Sequence, residues 1–493
     1  MRLLVLLLVL GTATAARAQP VPASAAELLD ALASARGAGL DGLWDALVAT
    51  QRVPFVSGDT AVFLARGPAG QMSVAGDPNG WNPWASPMRE VAPGVWARVD
   101  VFDARARLDY KLVRDGTEWA LDPHNPHVQW SGHGPNSELR MPAWRPAPET
   151  VPVPGAAAGT LGPPQQIESA ALGATITYRV YTPPGYGAAG VRAARHPTLY
   201  VTDGHEYADD RLGAVPTVLD ALARDGRIDP PVAVFIDPRR DGLNRRQTQY
   251  VQNPRFADFV ATELVPTVDR TYRTRADAGS RVILGTSLGG VFSTSLGVRH
   301  ADVFGRLAIQ SPAYWVSENP EWWSGPSIYD EVAAVPEGTL EVFMSTGTIN
   351  DTEAGARRMR DTLLARGHTL TYVEVPEGHS WGNWRALIDD VAEALLPPRS
   401  AASTAAEPPE PGPLQLGSIP GPRQGLLTVT LVPREPGRVR VRCLGADGSV
   451  SADRWVHARG PVPHTVRLVL RGEAEVCVAT QGPVTDETVV ASR

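Results

Sequence analysis

Between residues 199 and 375 the chain repeats one arrangement. Leu199-Tyr200-Val201, Val232-Ala233-Val234-Phe235-Ile236, Val282-Ile283-Leu284, Leu340-Glu341-Val342-Phe343-Met344 and Leu370-Thr371-Tyr372-Val373-Glu374-Val375 are short apolar runs, with helical stretches between most of them. Runs that are apolar on both faces need cover on both faces, and helices returning between them supply it. The pattern therefore predicts an α/β domain with a parallel sheet wound in βαβ units. The flanks read differently. Thr60-Ala61-Val62-Phe63-Leu64-Ala65, Gln71-Met72-Ser73-Val74-Ala75, Gly94-Val95-Trp96-Ala97-Arg98-Val99 and Leu108-Asp109-Tyr110-Lys111-Leu112 are strand-forming runs separated by Gly, Pro and Asn. They predict a β-sandwich, preceded by a short helix that Ser24 caps with Glu27 three residues on. Leu426-Leu427-Thr428-Val429-Thr430-Leu431-Val432 and Thr465-Val466-Arg467-Leu468-Val469-Leu470 predict a small C-terminal all-β module. Two stretches rich in Pro, Ala and Gly read as linkers. The expected plan is a leader at 1–18, a β-sandwich at 19–145, a linker at 146–166, the α/β domain at 167–396, a second linker at 397–414 and the β module at 415–493.

Met1-Arg2, the apolar run from Leu3 to Leu10 and the small-x-small pattern Ala16-Arg17-Ala18 resemble a cleaved secretory signal, so a secreted or periplasmic protein is expected. The run is too short to cross ~30 Å of hydrocarbon, and no membrane span is expected. A net charge of −7 with no basic run argues against nucleic acid as a partner. Lysine occurs once, at Lys111, which removes Gly-Lys-Ser/Thr phosphate loops. The only cysteines, Cys443 and Cys477, lie in strand-like runs. An oxidising compartment would let them form a disulfide, and two separate buried thiols fit the same sequence.

Chemistry concentrates in Gly285-Thr286-Ser287-Leu288-Gly289-Gly290, which follows one apolar strand directly and opens a run that can be helical. This is G-x-S-x-G in a strand-turn-helix context, where a sharp turn exposes a nucleophilic serine at the end of a strand. A serine hydroxyl needs a base, and in this fold class the acid and histidine follow the serine in chain order. Among His300, His368 and His379, only His379 sits on a loop after the last long strand, in Pro376-Glu377-Gly378-His379-Ser380-Trp381. Asp351 is the first carboxylate on the loop after the preceding strand. Glu353 stands close behind it, and an aspartate at 351 could equally cap the helix beginning there. The oxyanion hole needs two N–H donors, expected from Leu288 and, after Asp203-Gly204, from His205. Arg246, in an Arg/Asn-rich loop, is a candidate for holding a polar or anionic substrate. Tyr314 and Trp315 could line an aromatic pocket or simply pack. This chemistry requires no metal and no cofactor.

Several of these segments together resemble the enterochelin esterase-like branch of the α/β-hydrolases, which is related to the family-1 carbohydrate esterases. The resemblance covers approximately residues 40–397. It rests on Asp203-Gly204, Asn253-Pro254-Arg255-Phe256, Glu263-Leu264-Val265-Pro266, the Ser287 motif, and Gly378-His379-Ser380-Trp381 with Trp384-Arg385. Gly76-Asp77-Pro78-Asn79-Gly80-Trp81, Gly94-Val95-Trp96 and Tyr110-Lys111 look like the early-set immunoglobulin-like domain that precedes the hydrolase in that branch. Where the family tends to carry Arg-x-x-Glu-Leu, this chain reads Arg246-Gln247-Thr248-Gln249-Tyr250. The resemblance implies a serine esterase acting on a small-molecule ester such as a catecholate siderophore. A polysaccharide-linked acetyl or feruloyl ester is the alternative substrate, with Trp81, Trp84, Trp96 or Trp119 stacking on sugar. A binding protein with an inert hydrolase unit is the rival of another class.

Overall fold

The computed structural model describes residues 20–187 and 194–398, and seven strands between residues 415 and 489. The expected leader at 1–18 and most of the linker at 397–414 lie outside the described residues. The chain divides into two compact units. One holds residues up to 128 together with 136–144, and the other holds 129–135 and everything from Arg145 onward.

In the first unit the helix Ala25–Ser34 starts as its sequence requires, with the Ser24 side chain accepting from Glu27 N–H and the Glu27 carboxylate returning to the Ser24 N–H. Its Leu28 and Leu32, with Leu43, Trp44 and Leu47 of the helix Ala38–Ala49, bury against Phe55, Val62, Leu64 and Val95. Those last four belong to an antiparallel sheet of Phe55–Ser57, Thr60–Arg66, Val95–Val101 and Arg89–Ala92. A second antiparallel sheet is built on Met72–Gly76, Arg107–Arg114 and Gly134–Arg140. The rings of Phe63 and Tyr110 meet edge-on at 4.9 Å between the two sheets.

The second unit is organised by a mixed sheet. Beside the two-residue strand Thr160–Leu161, its strands are β1 (Gln165–Ser169), β2 (Ala174–Thr182), β3 (Thr198–Val201), β4 (Val232–Asp237), β5 (Arg281–Thr286), β6 (Arg306–Gln310), β7 (Glu341–Gly347) and β8 (Thr369–Val375). In space they run β1-β2-β4-β3-β5-β6-β7-β8. β1 and β2 are antiparallel to their neighbours, and every pairing from β4 onward to β8 is parallel. Because side chains alternate across a strand, Tyr200 and Ile283 point to one face while Leu199, Val201, Val282 and Leu284 point to the other. Helices cover both faces. α1 (Val215–Arg224) and α4 (Ile388–Leu395) pack Val218, Leu219, Leu222, Val391 and Leu395 on the second face. α2 (Leu288–Arg299) and α3 (Glu353–Ala365) pack Val291, Phe292, Leu296, Met359 and Leu363 on the first.

Two features depart from the sequence expectation. β6 was not foreseen: its apolar run, Leu307-Ala308-Ile309 between Arg306 and Gln310, is as long as that at 282–284 but has no G-x-S-x-G pattern after it. Both polar ends are satisfied through tertiary contacts: Arg306 Nε donates to Glu341, and the Gln310 amide lies between Tyr207 Oη and the Trp384 carbonyl. The stretch expected to be a linker at 146–166 contains Thr160–Leu161, which pairs with β2, and the start of β1. Its prolines, at 146, 148, 152, 154, 163 and 164, all fall outside those strand segments. In the C-terminal region the strands pair antiparallel. Cys443 lies directly opposite Cys477 on neighbouring strands, and the two are joined as a disulfide.

Phe292 is fully buried and packs its ring against Tyr250 and Phe256 at 5.6 and 5.0 Å. Phe292→Ala should lower the unfolding free energy of the α/β unit by about 3–5 kcal/mol. A denaturant titration followed by tryptophan fluorescence measures this, and an unchanged midpoint would contradict the packing described.

Candidate active site

The elbow begins at the end of β5. Ser287 follows Thr286 with φ 56° and ψ −119°, and α2 starts at the next residue. That conformation is rarely populated by a residue with a side chain and persists only where the surroundings enforce it. The enforcement is visible. Ser287 N–H donates to Gln310 O at 3.0 Å, and Ser287 O accepts from Ala313 N–H at 3.1 Å. The glycines of the motif are there for space. A Cβ at 285 would stand 2.2 Å from Gly289 O, and one at 289 would stand 2.4 Å from Thr202 Oγ1. The first N–H groups of α2 have no acceptor within the helix, so Leu288 N–H and the positive helix end face the space beside Ser287.

The candidate base and acid come from the loops after β8 and β7. His379 Nδ1 and Asp351 Oδ1 are 2.6 Å apart. The Asp351 side chain is 0% exposed. Its other oxygen receives Ser311 Oγ–H at 2.6 Å, Gly347 N–H at 2.5 Å and, more weakly, Thr346 Oγ1–H at 3.4 Å. Burial alone would push this carboxyl up. The bond from His379, its charge when protonated, and the donors Ser311 and Gly347 outweigh burial and hold Asp351 below the usual carboxylate range. Asp351 does not cap α3, whose N-cap is Thr352. Glu353 lines the cleft but the imidazole bond goes to Asp351. With Nδ1 engaged, Nε2 is the nitrogen of His379 left to accept a proton, and the ring stands edge-on to Trp384 at 4.9 Å.

These groups open into a cleft of about 580 Å³ lined by Ser287, Leu288, His379, Arg246, Tyr314, Trp315, Trp322 and residues 350–355. Trp315 is 53% exposed and meets Trp322 edge-on at 5.3 Å. Tyr314 is chiefly a packed residue. It is 1% exposed, its hydroxyl bonds Thr294 Oγ1 at 2.7 Å, and burial raises its pKa. Arg246 is not a solvated arginine. Its Nε lies 2.7 Å from Asp203 Oδ1, and Nη2 reaches toward Thr286 O at 3.5 Å. Burial raises the Asp203 carboxyl, and the Arg246 charge opposes that rise. His205 is not among the residues lining the cleft. Asp203 takes φ 49° and turns the chain into the short helix Gly204–Tyr207, with His205 Nδ1 3.7 Å from Asp237 Oδ1 and its pKa pushed down by burial to about 4.

The structure adds two side chains that sequence reasoning gave no role, Ser311 and Trp384. Trp384 stood within the quoted histidine motif, but Ser311 follows the unforeseen β6, and nothing local marks it.

With that geometry in hand, comparison with known proteins is informative. The Esterase family model matches residues 169–394. The iron(III) salmochelin esterase of Escherichia coli O6:H1 is 27% identical over 210 residues, covering 39% of this chain and 49% of that protein. The endo-1,4-beta-xylanase/feruloyl esterase of Xylanibacter ruminicola is 26% identical over 234 residues, covering 46% of this chain and 30% of that protein. The chain thus spans less than half the length of both curated relatives. The crystal structure of the enterobactin esterase from Shigella flexneri in the presence of enterobactin shares the fold, with a TM-score of 0.56 at 21% identity over 68% of this chain and 92% of that one. Residues 169–394 match the Esterase family, and in sequence and fold the chain is similar to the enterobactin and salmochelin esterases.

Proposed function

We propose that the protein is a serine hydrolase of carboxylic esters. The observation that carries this is the 2.6 Å His379–Asp351 bond opening onto the same cleft as a serine held at φ 56°. Ser287 Oγ attacks the ester carbonyl while His379 Nε2 takes its proton, and Asp351 fixes the imidazole tautomer and stabilises the imidazolium. The tetrahedral oxyanion draws on Leu288 N–H and the helix end behind it. His379 returns the proton to the departing alcohol, which leaves an acyl-Ser287. Water, deprotonated by the same nitrogen, then releases the acid. His205 N–H, off the cleft wall, is the weaker candidate for the second donor. Arg246 is on that wall, held by Asp203, with further N–H groups for a polar part of the substrate.

The exposed face of Trp315 over the cleft supports an ester with a planar ring, such as a catecholate siderophore ester, in keeping with the named activities of the salmochelin and enterobactin esterases. The Xylanibacter relative supports a second reading, a feruloyl or acetyl ester of a polysaccharide. The two antiparallel sheets of the first unit support an early-set immunoglobulin-like domain, and the leader pattern supports export.

Ser287→Ala should reduce hydrolysis of p-nitrophenyl acetate at least ~10⁴-fold with an unchanged melting temperature. Turnover near the parent's level would remove Ser287 from the mechanism, whereas no turnover by the parent would favour a binding protein. Asp351→Asn should cost about 10³–10⁴-fold in kcat because it forces the wrong tautomer on His379, against a few-fold at most for Glu353→Gln. Steady-state kinetics of both variants decide, and the reverse order would make Glu353 the acid. Trp315→Ala should raise KM for methyl ferulate by roughly tenfold while leaving p-nitrophenyl acetate nearly unaffected. Equal effects on both esters would return Trp315 to a packing role.

A further inference from the structure

The acid of the triad is held by a chain of donors that runs in one direction. Trp384 Nε1–H donates to Ser311 Oγ at 2.9 Å, and Ser311 Oγ–H donates to Asp351 Oδ2 at 2.6 Å. An indole nitrogen can only donate, so Ser311 Oγ must accept there, and its single hydrogen is left for the carboxylate. Ser311 itself is fixed. Its backbone turns at φ 41°, and its N–H donates to Ser345 O at 2.7 Å, on the strand that leads to Asp351. Trp384 touches the other half of the pair as well, standing edge-on to the His379 ring at 4.9 Å and 87°. One indole therefore braces the base by contact and the acid through a hydroxyl.

We propose that Ser311 and Trp384 are positioning residues that aim Asp351 Oδ1 at His379 by tying down Oδ2. This rests on the triad read above. A carboxylate with no exposure depends on protein donors alone, and Gly347 N–H, held by backbone, supplies only one of the two short bonds to Oδ2. Without Ser311 the carboxylate can turn about its Cβ–Cγ bond, and more negative charge stays on it. The first effect lowers kcat. The second strengthens its hold on the imidazolium, so His379 keeps its proton to higher pH. The other charged groups near the pair are Glu377 on its own loop, Glu353 at the start of α3 and Arg246 across the cleft, and all three stay in place in the variants below.

The test is the pH dependence of kcat/KM for p-nitrophenyl acetate in the full chain bearing Ser311→Ala, Trp384→Phe and both together. Ser311→Ala should lower kcat roughly tenfold with KM within a factor of two, and move the acid limb upward by about half a pH unit. Trp384→Phe keeps a ring against His379 and removes only the donor, so its limb should move the same way by less. Because the two act in series, the double variant's limb should coincide with that of Ser311→Ala. The downfield Nδ1–H proton resonance of His379 should shift in Ser311→Ala, a readout independent of turnover. A limb and a resonance that stay at the parent's position, or shifts that add in the double variant, would overturn the proposal. If Ser287→Ala retained turnover while the resonance still moved in Ser311→Ala, the Ser287 mechanism would fail and the positioning chain would stand.

Discussion

A carboxylate with no solvent contact is the demand around which the catalytic end of this sheet is arranged. Taking the Asp351 charge out of water costs several kcal/mol unless protein groups replace the water, and the replacements come from three neighbouring strand ends. The parallel register makes this possible. Thr286 pairs with Gln310, and Gln310 pairs with Ser345, so Ser287, Ser311 and Thr346 emerge side by side along one edge. Gly347 pairs with Val375 and brings the His379 loop beside them. At 347 only glycine fits, since a Cβ would stand 2.1 Å from Glu377 O and 2.9 Å from the carboxylate that its N–H serves. A slip of one residue between β6 and β7 would carry Ser311 away from Asp351 and turn alternate side chains to the wrong face.

The same chain of dependence explains what the sequence disclosed. Ser287, Asp351 and His379 stood out as candidates because each follows a recognised apolar run, with the G-x-S-x-G pattern marking the first, and chain order then suggested their roles. Ser24 and Glu27 were legible because a capping box is local. β6 was not: its three apolar residues equal the run at 282–284 in length, but no G-x-S-x-G pattern follows them, and the contacts of Gln310 come from Tyr207 and Trp384, 103 and 74 residues away. Ser311 was hidden with it. The Asp203–Arg246 pair was hidden for a similar reason: Asp203 entered only as part of the Asp-Gly step before His205, and nothing near it in the chain says that its carboxylate meets a guanidinium 43 positions on.

Charge is distributed unevenly around the cleft. Asp203 and Asp351 are both withdrawn from solvent, each answered by a partner, so the accessible wall is shaped mainly by Arg246 on one part and by Trp315 and Trp322 on another. Asp351 borders the cleft, but its carboxylate is taken up by Ser311, Gly347 and His379.

Left-handed backbone gathers at this rim. Asp203, Ser287, Ser311 and Asn350 have φ of 49°, 56°, 41° and 48°, and they stand just beyond the ends of β3, β5, β6 and β7. Each holds a conformation that costs of order 1–3 kcal/mol and relaxes once its surroundings let go. Opening is accordingly cheaper at the rim than in the sheet beneath it, and the two should separate as distinct cooperative units, with rim amides trading their hydrogens for deuterium well before those of β5 and β6. An ester lodged in the cleft would close that gap from above, so occupancy would be felt first as slower exchange around Ser287 and Ser311.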